Sequence, residues 1–167
     1  MKFVLISLFA ALLGLGFVFA PIPTAPSGEL TWETNFETAV KKAKKEKKKL
    51  LLNFTGSDWC GWCIRLDKEV FSKKEFIEYA EKNLVCVKLD FPKRKELSED
   101  EKKQNYGLAS EFKVTGFPTI YITDIEKKAI LKTGYIGGDA QQYVEHLDVA
   151  IQKESKEKGK KNSSVQN

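Results

Sequence analysis

The sequence predicts an α/β fold, a central mixed β-sheet of about four strands with helices on both faces. Short apolar runs at residues 50–54, Leu84–Asp90 and Thr119–Thr123 alternate with segments of helical periodicity. The first two runs are joined through helical segments, which implies a parallel pair, because parallel strands need a long crossover. The third is followed by a turn at 124–127 and a partner run, Ala129–Thr133, the pattern of an antiparallel hairpin.

Taken in order, the chain opens with Lys2 and an apolar run from Phe3 to Ala20, broken only by Ser7 and two glycines. A basic start before such a run reads as an export signal. Its length, near the ~20 residues that span a bilayer, equally suits a retained N-terminal anchor. Both readings place the rest of the chain outside the cytoplasm, and the expected location is the periplasm. Residues 21–29 carry Pro21, Pro23 and Pro26 and read as a stiff linker. The folded domain is expected over residues 30–152.

Within it, Thr34 and Glu37 have capping-box spacing. Phe36, Val40 and Ala43 then recur at helical intervals, which predicts a helix over 35–48 ending in a lysine cluster that suits the macrodipole. Residues 50–54 are the first strand and 56–58 a turn. A helix begins at Cys60 with Cys63, Leu66 and Val70 along one stripe. Ser72 and Glu75 suggest a second capping box, ahead of a helix burying Phe76, Ile77 and Ala80. After the second strand, residues 91–97 form a charged loop. Ser98 and Glu101 suggest a third box, starting a helix that runs to about Phe112 despite Gly107. The hairpin leads to Gly137 and Gly138, and Asp139 caps a last helix with Tyr143, Val144, Leu147 and Ile151 on its apolar face. Residues 153–167 are rich in Lys, Glu, Ser and Asn and are expected to be a disordered tail.

Composition narrows the chemistry. The chain has 167 residues, three cysteines, one histidine and a net charge of +5. That is one domain's length. One histidine excludes any site needing two, and three cysteines are too few to staple a miniprotein. The informative segment is Trp59-Cys60-Gly61-Trp62-Cys63, set between a strand and a helix. Cys60 falls at a helix N-terminus, where unpaired N–H groups and the positive dipole end stabilise a thiolate. Cys63 lies one turn on, within reach of a small disulfide. Cys60 is the expected nucleophile and Cys63 the resolving thiol. A structural disulfide or half of a zinc site are the competing readings, but only Cys86 and His146 remain to complete four ligands, and neither has ligand spacing. No metal is therefore expected, nor an organic cofactor, since a dithiol itself carries two electrons. Cys86, in a strand, reads as a small buried hydrophobe. His146 reads as a solvated or half-buried side chain, and the lysines of residues 41–49 as a solvated helix face. Trp59 and Trp62 flank the nucleophile and read as an apolar rim for a peptide substrate.

A second segment, Thr115-Gly116-Phe117-Pro118-Thr119, stands directly before the third strand, where a proline is tolerated and an X-Pro bond can be cis. The two segments together resemble the thioredoxin superfamily over about residues 30–152. The stretch from Phe54 to Cys60, with Gly134-Tyr135 and Gly137-Gly138, is similar to exported thioredoxin-like oxidoreductases. This resemblance implies a thioredoxin fold and a reversible Cys60–Cys63 disulfide, with Pro118 as a cis-proline and Phe117 contacting substrate. It implies disulfide-containing exported proteins as substrates, and a membrane thiol reductase of the DsbD kind as electron donor. Nucleic acid is not an expected partner, and the expected state is a monomer. Where thioredoxin has a buried Asp beneath its resolving cysteine, this chain has Asn53, and an amide is no general base. Lys88, Asp58 through water, or bulk base are the candidates for taking the proton of Cys63. Three functions stay open: a reductase or isomerase of exported proteins, an oxidase, and a peptide-binding module without catalysis.

Overall fold

The structure is a computed structural model, and it describes residues 28–164. The expected signal or anchor at 1–20 and most of the linker lie outside them. A five-stranded sheet forms in the order β1-β3-β2-β4-β5. It comprises β1 (Trp32–Glu33), β2 (Lys49–Thr55), β3 (Leu84–Asp90), β4 (Thr119–Thr123) and β5 (Ala129–Thr133). The helices are α1 (Phe36–Glu46), α2 (Gly61–Leu66, widening into a π-helical turn at Asp67–Phe71), α3 (Lys74–Asn83), α4 (Glu99–Glu111) and α5 (Ala140–Ser164). The mixed sheet is as expected: β2 and β3 pair in parallel, β4 and β5 antiparallel. The extra strand, β1, adds in parallel to the edge of β3 through two residues.

Side chains of β2 alternate between two cores, as a doubly covered strand requires. Leu51 joins Ile120, Ile122, Phe71, Phe76 and Tyr143 on the face covered by α3, α5 and the π-turn. Leu50, Leu52 and Phe54 join Val85, Val87, Ala39, Ala43 and Leu108 on the face of α1 and α4. Asn53 follows Leu51 and pairs in register with Lys88 on β3 and Ile120 on β4. The sheet thus delivers one polar pair, Asn53 and Lys88, to the face beneath α2.

Three helix boundaries ahead of α4 differ from expectation. Asn35, not Thr34, caps α1, its Oδ1 accepting the Thr38 amide at 2.8 Å. Asn is as good a cap as Thr, and the Thr34 carbonyl instead accepts from Gln104. The helix stops at Glu46 because Lys47 turns left-handed, with φ 56°. At α3, Lys73 occupies the cap without a side-chain bond, and the Ser72 hydroxyl donates to the Lys68 carbonyl. The Ser98–Glu101 capping box of α4 forms as expected. Asp139 accepts the Gln142 amide at the start of α5.

The C-terminal segment departs most. Instead of a disordered tail from residue 153, α5 continues to Ser164. Glu154 faces back to the sheet, where it pairs with Lys49 at 3.1 Å and with Lys158 one turn on. The alternating charges of this stretch act as i,i+4 helix pairs and anchors, which composition alone does not distinguish from a solvated coil.

Candidate active site

The site forms where β2 ends and α2 begins. Gly56 makes the exit tight: a Cβ there would lie 2.5 Å from the Trp59 indole, so the ring rests on bare backbone. The Cys60 amide bonds to the Gly56 carbonyl at 2.9 Å, and Cys60 then serves as the N-cap of α2. Its Sγ accepts the Cys63 amide at 3.2 Å. One orphan N–H of the first turn is thus aimed at the sulfur that would carry negative charge in the dithiol form. Cys60 and Cys63 are joined in a disulfide with Cα atoms 5.2 Å apart. Both are largely covered, at 7% and 5% exposure.

Around the disulfide the rings form two arms. On one side Trp59 meets Phe117 edge-on at 6.0 Å, and Phe117 stacks on Phe91 at 4.9 Å. The Phe117–Pro118 bond is cis. Trp59 and the Phe117–Pro118 pair, 58 residues apart in sequence, thus meet at one rim. On the other side Trp62, 58% exposed, stacks on Tyr135 at 5.6 Å. The Arg65 guanidinium lies over both rings, at 5.7 and 5.4 Å from their centres. Glu69 closes the group: it accepts from Arg65 Nε at 2.8 Å and from the Tyr135 hydroxyl. The Tyr135 bond, reinforced by Arg65, holds the Glu69 carboxyl below its ordinary pKa. Sequence reasoning named Trp62 but missed the clamp. Arg65 and Glu69, one helical turn apart, were its only local signal.

Beneath Cys63 is a cavity of about 140 Å³ lined by Asn53, Thr55, Ser57, Cys63, Ile64, Asp67 and Lys88. Among the described residues the Asn53 Oδ1 meets no hydrogen-bond donor, although the residue is 4% exposed. A polar cavity of this size has room for water to satisfy it. Lys88 thus shares this cavity with Cys63, its ammonium also lying over the Trp32 ring at 5.4 Å. Asp67, one turn after Cys63, lines the same space and was not singled out from sequence. Asp58 is placed differently: both its oxygens accept backbone amides of the 91–97 loop. Those amides, that of Lys93 foremost, hold its carboxyl below the usual range.

The remaining candidates behave as structural groups. Cys86 is buried in β3, and burial pushes its thiol pKa up to about 12. Half-buried His146 shares a hydrogen bond with the Thr133 hydroxyl at 3.0 Å. In the lysine cluster, Lys42, Lys48 and Lys49 pair with Glu33, Glu46 and Glu154.

A mixed sheet that places a Cys-x-x-Cys disulfide at a helix N-terminus beside a cis-proline loop defines a thioredoxin-like thiol–disulfide oxidoreductase. The chain belongs to that family: the model described as thioredoxin-like domain matches residues 36–151. Among individual proteins, it is 34% identical to the disulfide bond reductase DsbH of Chlamydia pneumoniae over 75% of each chain. It is 32% identical to the thioredoxin-related protein DsbJ of the same organism over 68% of this chain, but it spans about a third of DsbJ's length (32%). A solved structure of a DsbH oxidoreductase superposes with a TM-score of 0.73 at 31% identity, over 82% of this chain and 94% of that one. A thioredoxin from Thermus thermophilus, at 14% identity, superposes with a TM-score of 0.56 over 74% and 88% of the two chains and shares the fold.

Proposed function

We propose that this oxidoreductase works in the cell envelope and reduces or isomerises disulfides in exported proteins. The observation that carries the direction is the 34% identity to a protein named as a disulfide bond reductase, in a chain whose Cys60–Cys63 disulfide stands ready for exchange.

In the reduced protein the Cys60 thiolate attacks one sulfur of the substrate disulfide. A Cys60–substrate bond forms, and the other substrate sulfur leaves as a thiolate and takes a proton. Cys63 then gives up its proton into the cavity, where Asp67 and Lys88 are the ionisable side chains beside it. Its sulfur attacks Cys60, closing the internal disulfide and expelling the second substrate thiolate. Two electrons pass to the substrate, and the oxidised protein needs two from a donor, for which a membrane thiol reductase of the DsbD kind is our candidate. Trp59 and Phe117 on one side, and Trp62 on the other, form the rim on which the substrate chain rests.

Redox equilibration against glutathione tests the direction. A reduction potential near that of thioredoxin, about −270 mV, supports a reductase. A value near about −120 mV, the range of a strong oxidant, would instead mark a disulfide-forming enzyme.

A further inference from the structure

The loop of residues 91–97 is bound to the active site by both residues that precede Cys60. Asp58 Oδ1 accepts the Lys93 amide at 2.9 Å, and its Oδ2 accepts those of Arg94 and Lys95 at 2.7 and 3.2 Å. Trp59 Nε1 donates to the Phe91 carbonyl at 2.8 Å. A carboxylate that grips three successive amides leaves their side chains pointing outward. Lys93, Arg94 and Lys95 are all exposed, and no ion pair to any of them occurs among the described residues. Lys93 Nζ stands 4.1 Å from the centre of the Trp59 ring, which places it at the rim. Of the nearby acids, Glu99 pairs with Lys102 and Glu101 closes the capping box of α4, while Glu96, the one acid of the loop itself, is exposed and leaves the loop net positive. The same loop carries Phe91, stacked on Phe117 at 4.9 Å and set against exposed Tyr106 at 5.2 Å.

We propose that this loop is a docking element for the substrate chain, selecting disulfides flanked by carboxylate side chains. The proposal deepens the oxidoreductase reading and rests on it. The chemistry is complementary: three cations without ion pairs among the described residues, carried on a backbone held in advance beside an apolar rim, meet an extended segment that offers aspartate or glutamate next to its cysteine. Holding the loop backbone in advance lowers the ordering cost of the encounter. Charges at a rim act mainly on the association rate and fade as salt screens them. Lys93 lies against Trp59, so the cations and the ring read one stretch of substrate.

The test uses the reduced full chain and three synthetic peptides with the same internal disulfide, flanked by Asp, Asn or Lys. Second-order rates of disulfide reduction are measured at low and high ionic strength. The expected ratio of the Asp to the Lys peptide is about tenfold at low salt, collapsing towards unity at high salt. In Arg94→Glu/Lys95→Glu the ratio falls to one or inverts. Lys44→Glu/Lys45→Glu on α1 changes net charge equally and should keep the ratio. Each ratio is internal to one protein, so a partly misfolded variant still reports it. A wild-type ratio near one at low salt, an unchanged ratio in the loop variant, or an equal loss in the α1 control would overturn the proposal. Failure to reduce even the Asn peptide would instead count against the oxidoreductase reading.

Discussion

Cys86 offers a quantitative test of how the three cysteines divide. Burial raises its thiol pKa from 9.0 to about 12. Three units mean roughly a thousandfold less thiolate at any pH below both values, before steric exclusion is counted. The reduced native protein should therefore show two thiols that react with a disulfide reagent at pH 8 and a third that reacts only after denaturation. The shift also has a stability signature. The neutral thiol is favoured in the folded state, so the contribution is intact below pH 9 and declines as pH rises from about 9 towards 12, because only the unfolded chain ionises there. The slope is about 1.4 kcal/mol per pH unit. Replacing Cys86 by Ala should remove that slope, seen as urea-unfolding free energies of wild type and variant converging from pH 8 to pH 10.5. Fast reaction of three thiols in the native protein, or parallel alkaline curves, would refute the burial argument.

Other expectations concern the site. Gly56→Ala puts a methyl into the Trp59 indole, so it should break the Trp59–Phe91 bond and raise KM for peptide disulfides several-fold; indole fluorescence should shift with it. Tyr135→Ala removes the stacking partner of Trp62 and should raise KM for apolar peptide substrates while leaving kcat nearly constant. An unchanged KM would show that Trp62 needs no clamp. Asp67→Asn and Lys88→Ala each alter the cavity beneath Cys63. At least one should slow resolution of the mixed disulfide tenfold or more near neutral pH and change its pH profile between 6 and 9. Identical profiles in both would assign the proton to bulk base.

The sheet and the dithiol were legible because both have short-range signals. Strands of the interior declare themselves as apolar runs, and Cys60 and Cys63 sit three residues apart at a strand–helix junction. β1 was not legible: two residues at an edge carry no periodicity. Capping boxes were legible only where no competitor stood nearby, as at Ser98; beside Thr34, Asn35 is an equally competent cap. The helical course of residues 153–164 was masked by composition, since Glu154 reveals its role only through Lys49, 105 residues earlier. For the site the limit was again distance along the chain. Tyr135 reaches Glu69 across 66 residues, and Asp58 grips a loop 35 to 37 residues away. From sequence, Asp58 was a candidate to take the Cys63 proton through water. Only the folded chain shows its carboxylate holding the backbone of its neighbours.

The central claim is that Cys60 attacks and Cys63 resolves. Expressing full-length Cys63→Ser in the cell envelope, quenching with acid and identifying captured proteins by mass spectrometry tests it most directly. Mixed disulfides should accumulate that dissolve on reduction, map to Cys60 and vanish in Cys60→Ser/Cys63→Ser. Capture through Cys86, or none above that double variant, would contradict it.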